Sequence, residues 1–164
     1  MPLIDYEKQY KTVTAGLENY TGRPIIRANQ NQEPPQYPYM TYTITRLLSE
    51  NKGTYGIYED GTRRKPFTQT WSISAVADTH FDSVMLAVKA REWLDCYGAS
   101  YLNDNGVIVQ SVGGITNRDN LLTTEYEYRN GFDVVFYLFD TIEGIAEYDG
   151  EITDTSINVE RDNL

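Results

Sequence analysis

The 164-residue chain holds one cysteine, Cys96, and one histidine, His80. With a single thiol no intrachain disulfide can form, and folding in a reducing cytosol is expected. Nucleophilic catalysis needs a base beside its nucleophile. Both residues fall on one helical segment, about 24 Å apart along its axis, so within one chain they cannot meet. His80 reads as a surface residue at a helix start, and Cys96 as a small buried hydrophobe. Cations are also scarce: 14 Lys and Arg face 24 Asp and Glu, for a net charge of −10. Such a chain repels DNA phosphates at long range, which argues against sequence-specific DNA binding. No apolar run approaches a membrane span, and the start, MPLIDYEKQY, lacks the basic and apolar regions of a signal peptide. Synthesis in the cytoplasm and no membrane partner are therefore expected.

Chemistry-bearing motifs are equally sparse. No histidine–carboxylate cluster suggests zinc. Neither Asp60 nor Asn103-Asp104-Asn105-Gly106 belongs to a twelve-residue calcium pattern. Gly113-Gly114 lacks the lysine and further glycines of a phosphate loop. Glu125 and Glu127 share a strand face, but solvation accounts for such a pair, and a carboxylate hydrolase is the weakest alternative. The reading is a non-enzyme without cofactor or metal.

Tyrosine is abundant, at 14 residues. It buries a ring while keeping a polar tip, which suits strands and interfaces alike. Leu3, Tyr6, Tyr10, Val13 and Leu17 make one helical stripe, predicting a helix over 3–20 with its tyrosines in the core. Residues 24–27 suit a short strand, and 28–38, with three prolines, a loop. A strand follows over 39–47, with Met40, Tyr42 and Ile44 on one face. Residues 49–66 suit a projecting hairpin arm turning at Asp60-Gly61. It would carry Tyr55, Ile57 and Tyr58 on one side and the basic cluster Arg63-Arg64-Lys65 on the other.

Residues 67–77 alternate as a strand, with Gln69, Trp71, Ile73 and Ala75 sharing a face. Asp78-Thr79 caps a second helix over 80–97, ended by Gly98. One stripe of that helix is Leu86, Ala90, Trp93, Leu94 and Tyr97. A second, Phe81, Val84, Met85 and Val88, needs cover from helix 1 or from another subunit. A turn at 103–106 leads to a strand over 107–112.

The densest stretch, ITNRDNLLTTEYEYRNGFDVVFYLFDT, contains Asn130-Gly131, a common hairpin dipeptide. A reversal there would split the large apolar residues between two faces. One strand from about 121 to 140 keeps Leu122, Tyr126, Tyr128, Phe132, Val134, Phe136 and Leu138 together, with Gly131 marking a close approach. Val135, Tyr137 and Phe139 fill the opposite side of its second half. They call for cover by a helix or a neighbouring molecule. The acidic end, 146–164, suits an edge strand or a tail that orders on a partner.

The run NGVIVQSVGGITNRDNLLTTEYEYRNGFDVVFYLFD, with PPQYPYMTYTIT and YEDGTRRKPFTQTWSIS, resembles the neck or tail terminator proteins of tailed phages and prophages of Gram-positive bacteria. The resemblance covers roughly 4–145, so a domain over 1–145 with its arm at 49–66 is expected. It implies an α+β fold, a mostly antiparallel sheet packed with two main helices. It also implies a structural virion protein at the head–tail junction. Six copies would form a ring that caps the tail tube, ends its growth and docks it to the head connector, while DNA passes through the lumen without specific binding. Phe81, Val84, Met85, Val88, Val135, Tyr137 and Phe139 would then face neighbouring subunits. Tyr55, Ile57, Tyr58, Arg63, Arg64 and Lys65 would touch tube, connector or lumen. The alternatives are a connector between portal and tail and, from the aromatic content, a carbohydrate-binding module.

Overall fold

The computed structural model describes residues 5–50, 56–59, 61–121 and 126–142. Helix α1 spans Tyr6–Thr21, started by Asp5, whose side chain accepts from the Lys8 amide, and closed by Gly22 in the left-handed region. Then come β1 (Ile25–Arg27), β2 (Tyr39–Glu50), β3 (Gly56–Ile57) and β4 (Arg63–Ala77). Helix α2 (His80–Glu92) runs into a π-helical turn, Trp93–Tyr97, and a short α3 (Ala99–Asp104). The chain finishes with β5 (Ile108–Val112), β6 (Thr116–Asn117), β7 (Asn120–Leu121) and β8 (Tyr126–Ile142). The main sheet order is β1-β2-β4-β8-β5. All its pairings are antiparallel except β1 with β2. This is the α+β class expected.

β8 passes straight through Asn130-Gly131, and its register with β4 is unbroken from Arg63↔Ile142 to Ala77↔Tyr128. Gly131 is there for space. A Cβ on it would lie 2.5 Å from the Ile73 carbonyl oxygen and 2.8 Å from an Arg118 nitrogen. Alternation sorts the side chains as expected after the glycine: Phe132, Val134, Phe136 and Leu138 are buried against Trp71 and Ile73 of β4. Leu86, Ala87, Ala90, Trp93 and Leu94 cover this face, with Val13 and Leu17 of α1 and Leu102 of α3 in the same cluster.

Before the glycine the pattern departs from expectation. Tyr126 is exposed and Tyr128 half-buried, because α2 begins only at His80 and the covering layer ends there. Glu127, expected in solvent, is only 7% exposed. The tyrosines of α1 also differ. Tyr6, Tyr10 and Tyr20 stay partly exposed while Gln9 and Thr12 take buried positions. The polar residues can do so because they are bonded: Gln9 Nε2 donates to Gln69 Oε1 at 2.5 Å, and Thr12 Oγ1 donates to the Lys8 carbonyl at 2.8 Å.

The π-helical turn explains two further corrections. Its extra residue shifts the helical phase, so Tyr97 and Cys96 point outward although the 3.6-residue period puts Tyr97 with the core stripe. Gly98 does not end the helical run. It joins the π turn to α3, and a Cβ there would sit 2.3 Å from the Trp93 ring. The turn expected at 103–106 is present and closes α3, with the Gly106 amide donating to the Asn103 carbonyl at 3.0 Å. Leu3, Asp60, Leu122 and the acidic segment 146–164 lie outside the described residues.

Candidate interaction surfaces

The stripe on the outer side of α2 is exposed. The helix buries Ser83, Leu86, Ala87 and Ala90. Its start is fixed by Thr79, whose hydroxyl accepts from the Asp82 amide at 3.2 Å, and by Ser83, whose hydroxyl donates to the Ala75 carbonyl at 2.9 Å. That orientation turns the second stripe outward. Phe81 is 70% exposed and Met85 45%, while Val84 and Val88 are half-buried. Helix α1 packs against α2 without covering Phe81 and Met85.

A second apolar surface lies on the sheet face opposite the helices. Val135 and Tyr137 are half-buried there and Phe139 is 44% exposed, with Ile108 of β5 beside Tyr137 in the register. Tyr137 and Phe139 meet edge to face, with centroids 5.3 Å apart. Their cross-strand neighbours on β4 are Thr70, Thr68 and Pro66, so this face is uncharged from Val135 to Phe139. Toward Gly131 it is crossed by the Arg118 side chain, which reaches over it from the β6 edge beside β8. Arg118 donates to the hydroxyls of Ser72 at 2.7 Å and Ser74 at 3.2 Å, and to the Asp133 carboxylate at 3.2 Å. Sequence reasoning missed this clamp, for a lone arginine in a loop carries no pattern.

The arm is the outer end of the sheet rather than a loop. β4 starts at Arg63, four residues earlier than the alternation alone predicts, with β3 on one side and β8 on the other. The turn closes through Gly61, whose amide donates to the Tyr58 carbonyl at 2.9 Å. Ile57 is 74% exposed and Tyr58 is exposed beside it. Because Arg63, Arg64 and Lys65 are consecutive in a strand, they do not form one patch. Arg64 alternates to the face opposite Arg63 and Lys65. The Arg64 guanidinium lies 4.5 Å from the Tyr58 ring centroid and the Lys65 ammonium 5.6 Å from that of Phe67. Tyr55 lies outside the described residues. Leu47 and Leu48, also exposed, were missed: register shifts between Ile44 and Ser49 take them out of the β2–β4 pairing.

Of the carboxylate pair, Glu127 is tied into the structure. Glu127 accepts from the Tyr37 hydroxyl at 2.9 Å and from Arg129 Nε at 2.5 Å, which ties the 28–38 loop to β8. Burial first, and then this carboxylate, push the Tyr37 hydroxyl up to about 12. Glu125 lies outside the described residues. Trp71 and Trp93 are both in the core, as expected, and offer no platform to a sugar. Among the described residues no group of His, Cys, Asp and Glu has a metal-holding arrangement, and no helix is long and apolar enough to cross a membrane.

The family model described as phage neck terminator protein matches residues 11–157, past the 145 expected. Among solved structures, one chain aligns over 87% of this chain and 99% of its own length at 9% identity, with a TM-score of 0.40. A search of the curated proteins gives no match. The match over most of the sequence shows that this chain belongs to the phage neck terminator proteins, a family of structural virion components.

Proposed function

We propose that copies of this chain, six in number, form a ring at the head–tail junction. The ring caps the tail tube, ends its polymerisation and docks it to the head connector. The observation that carries the reading is the pair of apolar surfaces, the α2 stripe and the open sheet face, that a structural virion protein leaves uncovered. In a ring each subunit uses two different patches against its two neighbours. Phe81, Val84, Met85 and Val88 supply one. Val135, Tyr137 and Phe139 supply the other. The arm, with Ile57, Tyr58, Arg63, Arg64 and Lys65, and Tyr55 before them, reaches the tube, the connector or the lumen. A net charge of −10 suits a channel through which DNA slides without sticking.

Deleting the gene and imaging the induced lysate tests this. Tails of abnormal and varied length are expected. Tails of normal length beside filled heads that never join would instead make the protein a connector between portal and tail. Infectious particles of normal form would remove it from the junction.

The α2 patch has its own test. Phe81→Asp with Met85→Lys changes side chains that are largely in solvent, so the melting temperature should move by no more than about 2 °C. Assembly into particles should fall at least tenfold, read by immunoblot of purified virions. Unchanged incorporation would rule this patch out as an interface.

A further inference from the structure

The start of α1 meets the sheet where β8 loses a neighbour. β5 pairs with β8 only as far as Tyr137, and from Leu138 onward that side of β8 has no strand among the described residues. Between this edge and the helix lies a groove of about 200 Å³. The capping residue Asp5 and the helical Gln9 line it on one side, and Val107, Leu138 and Phe139 on the other. Val107 and Leu138 are buried and Phe139 is 44% exposed, so the sheet side of the groove is apolar. Lys8 and the Asn105-Gly106 turn complete it.

Residues 1–4, Met-Pro-Leu-Ile, directly precede Asp5 and carry no polar side chain, in a chain whose mean hydropathy is −0.51. Apolar side chains of this kind gain by leaving water. Continuity brings them to the groove: Asp5 belongs to its lining, so Ile4 begins at it and Leu3 lies within about 7 Å of Asp5. Capping sets their direction. The Lys8 amide donates to Asp5 Oδ1 at 2.9 Å, which makes Asp5 the residue before the helix and Gln9 the fourth residue within it. At such a start the apolar residue before the cap packs toward that fourth position, and here the fourth position lines the groove. Two other grooves border the beginning of α1. One touches Asp5 but not Gln9, and Glu7, Lys8 and Lys11 wall it with charge. The other touches Gln9 but not Asp5. The groove at the sheet edge touches both.

We infer that Leu3 and Ile4 dock in the sheet-edge groove of their own chain and strap the α1 start to β8. The strap covers Gln9 where it bonds Gln69, and it supports one flank of Phe139 while leaving the open sheet face free. It is a property of the single chain and does not depend on the ring.

Two measurements on the purified protein test it. Leu3→Asp and Ile4→Asp each place a carboxylate before a helix, which favours the positive end of its dipole. Without docking, either change should raise the melting temperature or leave it unaltered. With docking, each forfeits buried apolar surface, and the melting temperature followed by circular dichroism should fall by about 4 °C or more. An unaltered or raised value in both variants overturns the strap. The second measurement locates the segment. In a Cys96→Ser background, the thiol of Ile4→Cys should react with N-ethylmaleimide at least tenfold more slowly in dilute protein than in a free peptide of residues 1–8 with the same substitution. Equal rates would overturn the inference. Slowing that appears only as protein concentration rises would seat the segment in a second copy and overturn it as well.

Discussion

Gly131→Ala should lower the melting temperature by about 6–12 °C, from a loss of about 3 kcal/mol. Glycine normally weakens a strand, and alanine in its place would be expected to help. At this position the sign reverses. The added carbon would press on the Ile73 carbonyl oxygen at 2.5 Å, the Ser74 hydroxyl at 2.7 Å and Arg118 at 2.8 Å. The first of these belongs to the backbone of β4 and cannot rotate away. Relief requires spreading the β4–β8 ladder in the middle of its longest register, or expelling the Arg118 guanidinium. Expulsion would forfeit its bonds to Ser72, Ser74 and Asp133. Gly114→Ala is the control: nothing lies within 4 Å of a Cβ there. Its melting temperature should stay within about 2 °C of the parent. Equal effects at the two positions, measured by circular dichroism, would contradict the close-approach account.

Gln69→Leu should cost about 4 kcal/mol, or about 8–16 °C in melting temperature, although it preserves shape and adds apolar surface. Gln69 is 1% exposed and uses both ends of its amide. Oε1 accepts from Trp71 Nε1 at 2.6 Å and from Gln9 Nε2 at 2.5 Å, while Nε2 donates to the Leu47 carbonyl at 3.2 Å. The substitution orphans three groups at once: a buried indole, a buried amide and a strand carbonyl. Each orphan costs about 1–3 kcal/mol, partly offset by the leucine. One side chain thus holds α1, the centre of β4 and the bulge of β2 together. A Gln9→Leu, Gln69→Leu double variant much less destabilised than the sum of its singles would reveal the coupling; strict additivity would deny it.

Much of this arrangement is legible in the sequence because it derives from alternation. The parity of Phe132, Val134, Phe136 and Leu138 across Asn130-Gly131 specifies one strand, and the odd positions of 69–75 specify its partner. Thr79 marks the α2 start by the chemistry of capping. What escaped depends on tertiary context. Gln9 and Gln69 are polar residues at core positions, intelligible only as a pair 60 residues apart. Glu127 is buried because a distant tyrosine and a neighbouring arginine neutralise it. The π turn adds one residue to a helix whose pattern offers no warning, and it moves Cys96 and Tyr97 to the surface. Of the candidate surfaces, the α2 stripe and the second half of β8 were legible as excess hydrophobicity. Leu47 and Leu48 were not, since a bulge leaves no period to read. The basic triplet looked like one cluster only until its residues were placed in a strand, where neighbours face opposite ways.

β4 and β8 run side by side for their whole paired length, about 48 Å at 3.4 Å per residue. One end of this ribbon carries Arg63 and the β3 strand, and the other reaches Ala77, just before the α2 start. Arm and core therefore share the same two strands without a hinge between them. Mechanically the arm is a cantilever. A load on Ile57 or Tyr58 bends the sheet as a whole, and its torque reaches the roots of α2 through an unbroken hydrogen-bonded ladder.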